Sequence, residues 1–170
     1  MPTGTDVPGT DVPALPTDVA NLRRAFEVAA RSAAGGNHPF GAVLADPDGR
    51  VLLETENTVV TDNDCTGHAE INLVRQAARL HPADRLRGMT LYSSAEPCAM
   101  CSGAIYWSGL GRVVYGLSES GLLALTGAHP ENPTMSLPCR EVLARGQHPI
   151  EVVGPQLETE AAAAHADFWS

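Results

Sequence analysis

Apolar residues in this chain recur with two periods, and the order in which the periods alternate predicts its elements. After Asp18, a residue suited to capping, Leu22, Phe26, Ala29 and Ala33 repeat at helical spacing until Gly35-Gly36. Residues 40–45 and 51–56 then read as strands around the turn Asp46-Pro47-Asp48-Gly49, a hairpin. Helical spacing returns at about 67–80, with Ile71, Val74 and Ala78 on the inner side. Residues 90–94 predict a strand, 98–107 a third helix, 112–116 a strand, 137–145 a short helix, 148–153 a strand and 158–169 a closing helix. Strands alternating with helices after a hairpin predict an α/β domain whose mixed sheet is covered by helices on both faces. Residues 1–17 repeat Gly-Thr-Asp-Val-Pro twice and are rich in proline, which forbids regular helix. They are expected to form a flexible or extended arm before a folded domain at 18–170.

Composition narrows the choice of partner. The chain has 170 residues, 44% hydrophobic and 18% charged, as expected of one globular domain. Its 11 basic against 20 acidic residues give a net charge of -9, with no basic run and no Lys or Arg after Arg145. A phosphate backbone is gripped mainly by neutralising it, so this balance argues against a nucleic-acid partner. No apolar stretch reaches the ~18–20 residues that cross a bilayer, and the first residues lack the basic and apolar regions of a signal peptide. Four cysteines, two of them as Cys98-x-x-Cys101, do not make a disulfide framework, and a reducing cytoplasm is expected.

Two segments carry the candidate chemistry: His68-Ala69-Glu70 and Pro97-Cys98-Ala99-Met100-Cys101. Residues three apart on a helix face the same way, and the first turn of a helix favours thiolates. Two thiolates and an imidazole suit one tetrahedral zinc ion, and three protein ligands leave a position open, as in catalytic sites. Cys65 as a fourth ligand would close the site and make it structural, and a redox dithiol is a third reading of Cys98 and Cys101. Cys139, far along the chain, reads as a buried small apolar residue. Zinc lowers the pKa of water to about 7, so Glu70 is placed to move protons; its plain alternative is a solvated carboxylate at a helix start. Together the two segments match the pattern of zinc-dependent base deaminases.

At these residues, over roughly 20–116 and including Pro39-Phe-Gly-Ala-Val43 and Asn57, the chain resembles the cytidine deaminase-like superfamily. Within it the chain is similar to the group of guanine, tRNA adenosine and fungal-type cytosine deaminases. Gly103-Ala-Ile-Tyr-Trp107 resembles guanine deaminases most. The resemblance implies a three-layer α/β/α sandwich with a central mixed five-stranded sheet, one Zn2+ per chain, and hydrolytic release of ammonia. It also implies a homodimer, with a C-terminal segment that closes the pocket in its own chain or in the partner. It makes Asn57 a hydrogen-bonding partner of the base, Phe40 and Trp107 pocket aromatics, and the main chain near Ala69 and residues 94–96 further contacts. Glu131 or Glu119 would read the base's ring N–H and amino group, and Phe168-Trp169 would form a lid. The loop Asp64-Cys-Thr-Gly-His-Ala-Glu70 departs from the group's pattern at Cys65 and Gly67. The expectation is a deaminase of free guanine, giving xanthine and ammonia, or of related aminated rings such as ammeline. The alternatives are tRNA adenosine, cytosine or a nucleoside as substrate, and a zinc-stabilised interaction module without activity.

Overall fold

The computed structural model describes residues 13–169. Most of the expected arm therefore lies outside the described residues. Its last two positions, 16 and 17, do not belong to an arm, because α1 (Pro16–Ala34) begins two residues earlier than the sequence pattern predicts. Proline lacks an N–H and suits the first helical position, so Leu15 rather than Asp18 is the capping residue. Asp18 instead lies inside the first turn, where Oδ2 accepts the Leu15 N–H at 2.9 Å. It is 1% exposed and also accepts from Tyr92 Oη–H (2.9 Å) and from both terminal nitrogens of Arg112 (2.6 and 2.9 Å). Burial alone would raise its carboxyl pKa, but the bonds from Arg112, Leu15 and Tyr92 lower it.

The sheet has five strands in the order β2-β1-β3-β4-β5. These are β1 (Gly41–Ala45), β2 (Val51–Glu56), β3 (Thr90–Ala95), β4 (Arg112–Leu117) and β5 (Glu151–Val153). β1 runs antiparallel to both neighbours, whereas β3, β4 and β5 are mutually parallel. Side chains alternate across it, as the two-residue period of a strand requires. Val43, Tyr92, Val114 and Val153 pack against Leu22, Ala25 and Val28 of α1 on one face. Leu44, Leu91 and Val113 pack against Leu73 and Ala77 of α2 (Ala69–Leu80) and Ile105 of α4 (Ala99–Ser108) on the other. The result is the expected three-layer α/β/α sandwich. Gly41 lets α1 sit tightly on β1, since a Cβ there would lie 2.5 Å from the Ala29 nitrogen.

Several local expectations change. The inner stripe of α2 is Ala69, Leu73 and Ala77, each fully buried, with Val74 at its margin and Ala78 exposed. The helix starts at Ala69, so the i, i+4 series from that residue is the one that lies on the sheet. Two short helices were not anticipated: α3 (Ala83–Leu86) and α5 (Glu119–Thr126). α6 (Cys139–Leu143) is shorter than predicted. The closing helix stops as α7 (Glu158–Ala162), continues as one 3-10 turn (Ala163–His165), and the tail then packs against His38 and Phe40 of the loop between α1 and β1.

Candidate active site

The carboxyl ends of β3 and β4, the start of β1 and the residue after β2 meet at one edge of the sheet, where open α/β sheets form their crevices. A cleft of about 350 Å³ opens there. His68 and Cys98 occupy the capping positions of α2 and α4, both in extended backbone, and Cys101 lies in the first turn of α4. His68 Nδ1 is 3.6 Å from Cys98 Sγ and 3.6 Å from Cys101 Sγ. Nitrogen and sulfur ligands of one tetrahedral zinc, at about 2.05 and 2.3 Å from it, lie about 3.55 Å apart. The observed spacing therefore fits zinc.

Among the described residues the ligand cluster contains His68, Cys98 and Cys101, with ligand atoms within 4.8 Å of one another, and does not extend to Cys65. Cys65 is exposed on the cleft wall, so the closed four-ligand alternative finds no support. The Cys98 thiol is pushed down to about 4, chiefly by the hydrogen bond from Cys101 and then by His68. Cys101 is pushed up because its proton is held against the Cys98 charge. A divalent cation offsets that charge and lets both sulfurs ligate as thiolates.

Glu70 is 6% exposed in the first turn of α2. Its Oε1 accepts from Ser93 Oγ–H of β3 at 2.9 Å, and its Oε2 lies 3.6 Å from Cys101 Sγ. Burial raises its pKa, opposed by the nearby His68. This carboxylate is dry, oriented and adjacent to the ligand atoms, which a solvated helix-start acid is not.

The other candidates divide. Asn57 is 2% exposed and lines the cleft, and its Oδ1 accepts the Val59 N–H at 3.0 Å. Phe40, Glu119 and Glu131 also line the cleft. Glu119 has its pKa raised to about 7, first by burial and then by Glu96, Cys98 and Glu70. Glu131 is largely exposed, and its Oε2 lies 3.2 Å from His38 Nε2. Ala69 does not line the cleft: its methyl group is in the core and its carbonyl accepts from Thr55 Oγ1–H at 2.8 Å.

Trp107 is the clear departure. It is 83% exposed on the outer side of α4, away from its own chain's cleft, because the helix turns Cys101 and Ile105 inward. Trp169 packs behind the cleft wall of its own chain, 5.5 Å from the His38 ring and 6.3 Å from Phe40. Its Nε1–H donates to His165 Nδ1 at 3.1 Å, and burial lowers the His165 pKa to about 4.

Three side chains go beyond the sequence expectations, which reached Glu96 only through the main chain of residues 94–96. Ser93 sits in a strand that reads as core. His38 is a lone histidine before Pro39. Glu96 adjoins the Cys98 motif, where the cysteines are the stronger signal. Only Glu96 carried a signal, as a carboxylate at the end of a buried strand.

A fold with this three-ligand site and adjoining carboxylate defines a zinc-dependent deaminase domain. Residues 16–117 match the family model of the cytidine and deoxycytidylate deaminase zinc-binding region, and the chain belongs to that family. It is 43% identical over 155 residues to a probable cytosine deaminase of Schizosaccharomyces pombe, covering 89% of this chain and 92% of that one. It is 44% identical over 95 residues to the guanine deaminase of Bacillus subtilis, covering 55% of this chain and 60% of that one. Among solved structures, the guanine deaminase from Nitrosomonas europaea superposes with a TM-score of 0.72 at 27% identity, over 92% of this chain and 86% of that one.

Proposed function

We propose that this chain is a hydrolytic deaminase of a free nucleobase, of the guanine type. The observation that carries the reading is the charge of the cleft: Glu119 and Glu131 line it, Asn57 borders it, and among the described residues no arginine does. The chain contains no lysine. A nucleotide or tRNA phosphate brought to this cleft would meet carboxylates and no Lys or Arg side chain. The Glu131 carboxylate accepts hydrogen bonds only, as Glu119 does once deprotonated, so this wall suits a ring edge that presents N–H and amino donors, as guanine does. The likeness to the Nitrosomonas europaea enzyme over most of the chain supports guanine. The likeness to the Schizosaccharomyces pombe protein keeps cytosine as the rival.

His68, Cys98 and Cys101 would hold the zinc ion, which supplies a Lewis acid that lowers the pKa of water to about 7. Glu70 takes the proton of the attacking water and delivers it to the ring nitrogen, with Ser93 fixing the orientation of its carboxylate. Glu70 then carries the proton of the new hydroxyl to the amino group, the C–N bond breaks, a carbonyl replaces the amino group, and ammonia leaves. Asn57 offers its amide N–H groups to a ring acceptor, and Phe40 gives the base an apolar wall.

Ammonia release from guanine, ammeline, cytosine, adenine, cytidine and guanosine tests the assignment. Guanine is expected to turn over fastest. Turnover restricted to cytosine overturns the guanine reading, and turnover of none overturns the deaminase of free bases.

The outer side of α4 supports a second reading, of assembly. The helix has no charged residue, Met100 and Trp107 are exposed on it, and nothing lies within 4 Å of where a Gly103 Cβ would be. An uncharged helix with a large bare aromatic suits burial against a second copy of this chain. Light scattering is expected to give a dimer, and Trp107→Arg a monomer; a monomeric wild type overturns the pairing.

A further inference from the structure

Glu96 lies between the end of β3 and the ligand Cys98, is 8% exposed, and borders the cleft. Both of its carboxylate oxygens accept backbone amides from distant parts of the chain. Oε2 accepts the N–H of Glu119, the first residue of α5, at 2.9 Å. Oε1 accepts the N–H of Cys139, the first residue of α6, at 2.9 Å. These two amides bound the segment 119–139, which carries both Glu119 and Glu131. From α5 to α6 the segment has no strand or helix, and Glu131 is steadied there by His38.

We propose that Glu96 is a positioning residue for base selection: it holds both ends of segment 119–139 and so fixes the two acids relative to the metal ligands. The proposal rests on the reading of Glu119 and Glu131 as contacts to the base. One anionic group that ties down both ends of a loop replaces two separate anchors, and it belongs to the same short stretch that supplies the ligands. A carboxylate is required, because it accepts at both oxygens. Glutamine has the same shape but must turn its NH2 toward one of the two amides and lose that bond.

The test uses two variants that act from opposite sides. Glu96→Gln alters the acceptor. Cys139→Pro removes one donor and leaves Glu96 intact. Proline is tolerated at the first helical position, and Pro138, at ψ 140°, already has the extended backbone that a following proline requires. Cys139→Ala keeps the N–H and removes only the thiol, which also lies against the Glu96 carboxylate. Both test variants are expected to raise the KM for guanine about tenfold or more, the scale of a lost hydrogen bond to a charged group. They should keep one zinc per chain and speed amide hydrogen exchange across 119–139 but not across α2 and α4. The double variant should be less than additive, and Cys139→Ala, which keeps the backbone donor, should be milder than Cys139→Pro. Unchanged exchange and KM in Glu96→Gln overturn the proposal. So does loss of zinc, which would make Glu96 a support of the metal loop. A KM effect in Glu96→Gln with normal exchange and a wild-type Cys139→Pro would also overturn it, since Glu96 would then touch the base directly. If wild type deaminates no free base, the proposed function fails, while the exchange measurement still decides whether Glu96 clamps the segment.

Discussion

The floor and the lip of the cleft are built in opposite ways. The floor takes His68, Glu70, Cys98 and Cys101 from the starts of two helices packed on the same face of the sheet, and Glu70 and Cys101 are almost wholly excluded from water. The lip takes His38 from the loop after α1, Glu131 from an irregular stretch and Trp169 from the tail, and the Glu131 side chain is 60% exposed. A metal and a proton carrier need fixed ligand distances, which helix starts packed on a sheet provide. Selection among flat rings needs only a few polar groups on an adjustable rim. The contrast implies that damage to the floor abolishes chemistry, while damage to the lip redistributes it among substrates.

That contrast can be broken in four ways. Cys98→Ala or His68→Ala is expected to lose zinc, read by elemental analysis, and with it at least about 1,000-fold in turnover; a variant that stays active without metal ends the assignment. Glu70→Gln should keep its zinc while kcat falls about 100- to 10,000-fold, the usual worth of a positioned acid–base group, so retained turnover removes Glu70 from its role. Glu131→Gln and Glu119→Gln should raise the KM for guanine about tenfold and change cytosine much less. An equal loss on both bases would show that the lip does not select. Trp169→Ala should cost only a few-fold in KM, because its ring backs the wall rather than forming it.

A fifth measurement concerns stability under the lip. His165 is 2% exposed with its pKa lowered to about 4, so the unfolded chain binds a proton between that pH and the ordinary histidine value while the folded chain does not. Stability should therefore fall as pH drops from about 6.5 toward 4, with a slope near 1.4 kcal/mol per unit from this group. Denaturation curves across that window should lose the slope in His165→Gln.

The floor was legible in the sequence because each of its signals is short. His68 and Glu70 are two apart, Cys98 and Cys101 three apart, and helical geometry turns such spacings directly into shared faces. All five strands were legible for the same reason, since alternation and turn residues act locally. What failed depended on partners far along the chain. The start of α1 shifted because Pro16 suits the first helical position and Asp18 answers to Arg112. The helix α5 was hidden by Gly121 and by Leu123 and Leu125, which are exposed and blur its inner stripe. Trp107 sits among residues that resemble a pocket motif, yet the burial of Cys101 and Ile105 turns it outward. His38 and Glu131 are 93 positions apart, and no local pattern announces that they meet.

The two tryptophans of this chain stand at the two places where events are expected, one bare on α4 and one packed behind the cleft. An indole in water emits to the red of one among aromatic rings, so the two are spectrally separable. Association of copies would shift the emission of Trp107 toward the blue, while entry of a base would disturb Trp169. With Trp107→Phe and Trp169→Phe as single-emitter variants, the protein carries its own optical probes of assembly and of occupancy, and needs no added dye.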